Sequence, residues 1–240
     1  MKKIYIFFII LFILFLLLQN NNISSFEKNS KFIHYIDVFP TFSLKKFKQE
    51  CGNEIVKVGD FTKNKSAHLY PVSTVHVKLS EWFSDAFKNQ NKQTRLGFYK
   101  NSSSKIALFM FDWVNKNKHY FPKKLQDRLA SDKSMYNVRI TRGEWEFPSH
   151  FDGVDNFMIV LSGNRNVILN HTVQKALKSN DILYFESCIE HHFWCDKGDE
   201  LNMVLNITFL PNHEAHCLDD FENKYQQQMN RINTHKDVVF

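Results

Sequence analysis

Apolar and polar positions divide the chain into stretches of different period. From Ile4 to Leu18 the apolar residues run without a break behind Lys2 and Lys3, and Gln19-Asn20-Asn21-Asn22 ends the run. A short basic start followed by such a run is the pattern of a secretory signal, and it is on the short side for a full membrane span. Ser24-Ser25 offers the nearest small residues, so residues 1–25 are expected to be either a signal peptide or a retained signal anchor. In both cases Lys2 and Lys3 stay cytoplasmic and the rest of the chain enters the lumen or the outside.

Residues 26–134 mix short periods and read as an α/β part. Residues 19–35 are polar and read as a linker. Ser43 to Gly52 predicts a short helix with Ser43 as N-cap and Gly52 as its stop. Ile55–Val58 and Val75–Leu79 predict strands. Ser80 is expected to cap a helix carrying Trp82, Phe83, Ala86 and Phe87, Lys105–Phe111 reads as an apolar strand, and Pro122 opens a helix reaching Ala130.

Over residues 135–211 short β runs follow one another: Tyr136–Thr141, Asn156–Leu161, Arg165–Leu169, Ile182–Phe185, His191–Trp194 and Met203–Phe209. Turn residues separate them, among them Arg142-Gly143 and Ser162-Gly163-Asn164. Regularly spaced short strands of this kind predict a sandwich or a barrel. Residues 212–240 are polar, with Leu218, Phe221, Tyr225 and Met229 near helical spacing, and predict a helical tail that lies on the domain or makes a homodimer contact.

Composition changes this picture only slightly. The net charge of +6 comes mostly from scattered lysines with acids between them, and no basic block with regular aromatics occurs, so no nucleic-acid partner is expected. Cys51, Cys188, Cys195 and Cys217 are not spaced as a zinc site and allow three disulfide pairings in an oxidising compartment. Sequons fall at Asn22, Asn64, Asn101, Asn170 and Asn206, and the last lies in an apolar run unsuited to glycosylation.

The candidate chemistry begins at His150-Phe151-Asp152. On a strand, alternate residues share a face, so an imidazole and a carboxylate could serve one metal. Taken alone an H-x-D triplet is near chance level. A later strand adds His191-His192 in an apolar stretch, and alternation puts only one of the two inside. Two histidines and one carboxylate on one face leave the other coordination positions open, as in the facial triad of non-haem Fe(II) oxygenases. A core histidine bonded to backbone is the competing reading of His191.

The flanking residues resemble the JmjC and cupin-like hydroxylases. Pro148-Ser149-His150-Phe151-Asp152, Asn156-Phe157, and Gly163 and Arg165 ahead of Leu169 follow that family's order, as do Asn180-Asp181-Ile182-Leu183-Tyr184-Phe185, Glu190-His191-His192-Phe193 and Met203–Phe209 with its inward Asn206. Arg165 follows His150 at the interval at which Asn206 follows His191, and both intervals match the asparaginyl hydroxylase branch. The resemblance covers residues 136–210. It implies a mainly β double-stranded β-helix of the cupin or jelly-roll type with short flanking α-helices. It implies Fe(II) held by His150, Asp152 and His191, with His192 facing out. It implies 2-oxoglutarate whose C5 carboxylate pairs with Arg165, and Asn156 and Asn206 near the co-substrate or the ligands. Tyr136 and Thr141 are candidate hydroxyl donors to the co-substrate, and Trp145 and Trp194 candidate apolar walls.

The implied activity is hydroxylation of a protein or peptide side chain in the secretory pathway, lumenal in the endoplasmic reticulum, membrane-anchored or secreted. The sequence departs from the family in a shorter interval between Asp152 and His191, in Asn180 for a glycine, in Glu190 for a tryptophan, and in Phe147 where a hydroxyl residue often helps hold the co-substrate. These departures keep a non-catalytic metal-binding cupin, or a cupin enzyme without 2-oxoglutarate, as alternatives.

Overall fold

Alternation along the strands explains how one sheet can be covered on both faces. The computed structural model describes residues 31–60, 73–84, 92–99, 102–131, 134–143, 145–195, 201–209 and 238–239. In order, the elements are β1 (Phe32–Tyr35), α1 (Leu44–Cys51), β2 (Ile55–Asp60), β3 (Ser73–Lys78), α2 (Leu79–Trp82) and β4 (Lys92–Tyr99). Next come α3 (Lys105–Asn117), a single 3-10 turn (Lys118–Tyr120), α4 (Lys123–Ser131), β5 (Ser134–Arg142), β6 (Trp145–His150) and β7 (Asp155–Ser162). The chain then forms β8 (Asn164–Leu169), β9 (Val173–Lys178), β10 (Ile182–Phe185), β11 (His191–Cys195), β12 (Leu201–Phe209) and β13 (Val238–Val239).

The larger sheet has the order β1-β10-β7-β12-β5-β4-β2-β3, with β13 on β4, and the smaller the order β6-β11-β8-β9. Every pairing is antiparallel. From β5 to β12 the chain deposits β5, β7, β10 and β12 in one sheet and β6, β8, β9 and β11 in the other. That winding makes the domain a double-stranded β-helix, mainly β with a few short helices. β1 extends the larger sheet at one edge and β2–β4 extend it at the other.

In β7, Phe157, Ile159 and Leu161 point to an outer core shared with the helices, while Met158 and Val160 point into the barrel. The outer core holds Phe47, Trp82, Met110 and Leu125 from α1–α4, all fully buried. The inner core holds Phe147, Val167, Leu169, Phe185 and Phe193. A strand buried on both faces loses its apolar–polar alternation, which is why β5, β7 and β12 are buried nearly throughout.

Several expectations are met. Ser43 caps α1 by accepting from Lys46 N at 3.2 Å. Pro122 immediately precedes α4. Each of the six β runs read from residue 135 onward is a strand.

Others need correction. Lys105–Phe111 is not a strand but the first two turns of α3, capped by Ser104 Oγ, which accepts from Ala107 N at 3.1 Å. Its buried residues Ile106, Ala107, Met110 and Val114 recur at helical spacing, and a short apolar run cannot show that by itself. Phe32–Tyr35 is not linker but an edge strand, fixed by pairing with β10. The helix expected to start after Ser80 starts at Leu79, where Lys78 N donates to the Glu81 carboxylate at 3.4 Å. Its continuation through Ala86 and Phe87 lies outside the described residues. Of the expected C-terminal helix only Val238–Val239 is described, and it pairs as a strand with β4. Strands β4, β6 and β9 were not anticipated.

Residues 1–25 lie outside the described residues. Among the described residues no helix is long and apolar enough to cross a membrane. Cys51 and Cys195 are buried thiols outside any disulfide, and Cys188 is disulfide-bonded.

Candidate metal centre

Strands β6 and β11 are neighbours, and their register sets His150 directly opposite His191. Asp152 follows two residues beyond the end of β6, so the carboxylate comes from the loop and not from the strand itself. The loop nevertheless brings it back. One ligand atom each from His150, Asp152 and His191 lies within 4.8 Å of the others. His191 Nε2 is 3.4 Å from Asp152 Oδ2, His150 Nε2 is 4.0 Å from Asp152 Oδ1, and the two imidazole centroids are 4.1 Å apart. His191 is buried, and His150 and Asp152 are partly exposed, so the group opens toward solvent on one side.

Neighbouring groups orient these side chains. His191 Nδ1 donates to the Ile189 carbonyl at 2.7 Å, which turns Nε2 toward Asp152. Asn156 Nδ2 donates to Asp152 Oδ2 at 3.1 Å. Fixing the far nitrogen of a ligand histidine and the oxygen of a ligand carboxylate is the usual support of a metal site. Burial disfavours the ionised form of Asp152. The hydrogen bond and charge of His191, then the charges of His150 and Arg139, outweigh it and hold the carboxyl well below the usual carboxylate range. The donor set therefore fits a divalent cation that accepts nitrogen and oxygen.

Alternation on β11 puts His192 on the outer face, where its Nε2 lies 3.1 Å from Glu146 Oε1. Trp194 goes out with it, its ring 5.2 Å from that of His192, and so forms no wall of the interior. Trp145 does face inward, stacked on Phe147 at 5.7 Å, and Phe147 in turn lies 4.4 Å from the His150 ring. Phe185 and Phe193 complete an aromatic lining beside His191.

Arg165 is not an exposed residue after a turn. It is 1% exposed, its guanidinium 4.8 Å from the Trp145 ring. None of its three nitrogens donates to a protein oxygen, and the Cys195 sulfur lies beside them. Burial lowers its pKa from the ordinary guanidinium value, opposed only by the Cys195 sulfur beside it. A buried cation without an anion is costly, so this position fits an anionic ligand group.

Asn206 is buried on β12 opposite Asn137 of β5, and neither Oδ1 has a partner. Of the two candidate hydroxyls, Tyr136 faces the outer core, stacked 5.9 Å from Phe98. Thr141 faces the barrel interior, fully buried, with Oγ1 unpartnered. Sequence reasoning missed Gln93 and Asn137 altogether. In β4 and β5 they occupy the phase opposite Thr94, Leu96, Val138 and Ile140, a phase that in the sequence reads as an exposed polar face. It also missed the rim, where Ser149 Oγ donates to Glu190 Oε1 at 2.5 Å and His171 pairs with the same carboxylate.

Fold and site together define a double-stranded β-helix protein with a two-histidine, one-carboxylate group that could hold a metal. No protein-family profile matches the chain, and no curated protein matches it. Solved structures do. A DMSP lyase of Ruegeria pomeroyi DSS-3 is 16% identical, with a TM-score of 0.30, over 37% of this chain and 42% of that one. A cupin superfamily protein of Desulfitobacterium hafniense DCB-2 is 16% identical, with a TM-score of 0.29, over 33% and 70%. A putative mannose-6-phosphate isomerase of Ralstonia eutropha JMP134 is 18% identical, with a TM-score of 0.30, over 32% and 74%. The match thus spans well under half of the lyase. At such scores these likenesses carry no argument about activity, and the fold assignment rests on the strand order.

Proposed function

We propose that the protein is an Fe(II)- and 2-oxoglutarate-dependent oxygenase that hydroxylates a side chain of a protein or peptide. The observation that carries this reading is the buried, unpartnered guanidinium of Arg165 inside the same barrel as the open-sided triad of His150, Asp152 and His191. A metal alone would leave that cation uncompensated, whereas a dicarboxylate offers one end to the metal and one to Arg165.

His150, Asp152 and His191 would hold Fe(II). When bound, the metal and co-substrate supply the oxidising power: O₂ and 2-oxoglutarate are consumed, succinate and CO₂ leave, and the substrate gains a hydroxyl. The chain's own residues do the rest. Asn156 keeps Asp152 turned to the metal position, the Ile189 carbonyl keeps the proton of His191 on Nδ1, and Arg165 anchors the remote carboxylate. Phe147, Phe185 and Phe193 keep water from the reacting centre. The apolar run Ile4–Leu18 and the disulfide at Cys188 support a lumenal, extracellular or membrane-anchored setting.

The test uses the full chain purified without oxygen. Fe(II) and 2-oxoglutarate together should give the weak visible charge-transfer band of the chelate, and admitted O₂ should release succinate. Both signals should vanish in His150→Ala and His191→Ala. Metal binding with neither band nor succinate would favour a second reading, a cupin that binds metal without this co-substrate. The Phe147 ring supports that reading, because it stands 4.4 Å from His150 where a hydroxyl residue would help a co-substrate.

A further inference from the structure

We propose that Asn170 is an N-glycosylation site and that its glycan stands on the rim of the metal centre. The proposal rests on the reading that the chain enters the secretory pathway, and it assigns a covalent modification that the oxygenase reading does not use. Asn170-His171-Thr172 is an N-x-T acceptor sequence, and an acceptor asparagine has to end on the surface of the folded chain. The fold sorts the five sequons on that criterion. Asn22, Asn64 and Asn101 lie outside the described residues. Asn206 is 6% exposed, on a strand flanked by β5 and β7, so an oligosaccharide has no room there. Asn170 is exposed, and so are His171 and Thr172.

Local structure explains the exposure. Leu169 and Val173 pair across β8 and β9, so Asn170, His171 and Thr172 form the whole connection between them. Thr172 N donates to the Leu169 carbonyl at 3.1 Å, closing a β-turn whose central residues are Asn170, at φ 48°, and His171, at φ 57°. Asparagine is among the few residues other than glycine that take this left-handed region readily. The turn is also tied to the segment that leads into β11. Asn170 N donates to the Glu190 carbonyl at 2.9 Å, which fixes the backbone while the side chain remains exposed.

That anchoring places the turn beside the metal group. Leu169 is the β8 partner of His191, and Glu190 immediately precedes His191. The Glu190 carboxylate accepts from Ser149 Oγ, next to His150, and pairs with His171, whose side chain is 72% exposed. A glycan on Asn170 therefore rises from the β8–β9 side of the opening that exposes His150 and Asp152. The transfer forms a bond between Asn170 Nδ2 and the anomeric carbon of an oligosaccharide and breaks that carbon's bond to a lipid pyrophosphate. The lipid pyrophosphate leaves, and the amide proton passes to a base of the transferase. The co-reactant is thus a polyprenyl-pyrophosphate oligosaccharide, and the catalyst a lumenal transferase.

The experiment translates the full chain in the presence of endoplasmic-reticulum microsomes. It reads protection from added protease, the mobility shift that an endoglycosidase reverses, and the mass of the peptide containing Asn170. Wild type should be protease-protected and carry a glycan on that peptide. Asn170→Gln and Thr172→Ala should each remove one glycan, and Asn206→Gln should remove none. Thr172→Ala keeps the left-handed asparagine and alters an exposed side chain, so it decides alone if Asn170→Gln fails to fold. A protected chain whose Asn170 peptide is unmodified overturns the proposal and leaves the lumenal reading intact. A chain that the protease digests has not entered the lumen, and that result overturns both. The oxygenase reading is decided separately, by the charge-transfer band and succinate, neither of which requires a glycan.

Discussion

His191 Nδ1 lies 2.7 Å from the carbonyl oxygen of Ile189, two residues earlier in its own chain. A carbonyl can only accept, so this contact makes Nδ1 the donor and leaves Nε2 as the nitrogen that a metal would take. It also separates His191 from a core histidine whose ring nitrogens are both satisfied by backbone. The second nitrogen faces the carboxylate of Asp152, which Asn156 holds from behind.

Asn156 is thus expected to act through Asp152. Asn156→Ala should preserve the fold and weaken Fe(II) or Mn(II) binding by about 10–100-fold, the usual cost of losing such support. Metal titration of the purified variant checks this. An unchanged affinity would show that Asp152 needs no anchor.

Arg165→Met should separate stability from binding. Replacing an unpaired buried charge by an apolar chain of similar length removes a desolvation penalty, and gains of about 1–4 kcal/mol are seen for comparable replacements. Urea unfolding of the metal-free variant should show higher stability than wild type, while calorimetry should show 2-oxoglutarate binding lost. A less stable variant would mean that the guanidinium is satisfied within the protein.

Asp181 ties β1 to the barrel. Its carboxylate accepts from Asp37 N and Lys178 N, each at 3.0 Å, and lies 3.0 Å from His34 Nε2. Burial disfavours the charged form, but the hydrogen bond from His34, those from the two backbone amides and the charge of His34 outweigh it, so its pKa is lowered. A lowered carboxylate pKa stabilises the fold fully above the unfolded value, about 4, and that stability is lost as pH falls from there through the folded pKa. Asp181→Asn should therefore cost roughly 2 kcal/mol at pH 7, and its stability should fall less steeply than that of wild type below pH 4. Denaturant midpoints measured from pH 7 to pH 3 test the sign.

Gly163 makes the β7–β8 turn at φ 77° and packs against β12. An added Cβ would press on the Asn202 side-chain oxygen and come within 2.9 Å of the Leu201 carbonyl. Gly163→Ala should lower stability by roughly 2 kcal/mol through both strain and contact, measured by thermal melting. A neutral result would show that the turn relaxes around the substitution.

Legibility differed along the chain for physical reasons. Strands with a clear phase, such as Arg165–Leu169, could be read because one face is core and turn residues bound them. β6 was hidden because Pro148 interrupts it, and β4 and β9 because Lys, Gln, Arg and Ala fill their polar phases. Helix α3 was misread because its first seven residues are mostly apolar, and only the later residues, through Val114, reveal the helical period. At the site, His150, Asp152 and His191 were visible as a motif. Gln93 was not, since nothing local tells a buried glutamine from an exposed one.

By itself the sequence determined the ligand types, the alternation that lets only one of His191 and His192 face inward, and the turns that divide the β region. These depend on neighbours in the chain and on the two-residue period of a strand. Only the tertiary structure decided that β6 lies beside β11, so that His150 meets His191, and that Arg165 is enclosed against Trp145 without an acid to pair with. Those facts depend on pairings between strands distant in sequence, where the free energy of burying whole faces outweighs any local preference and sets what each side chain finally touches.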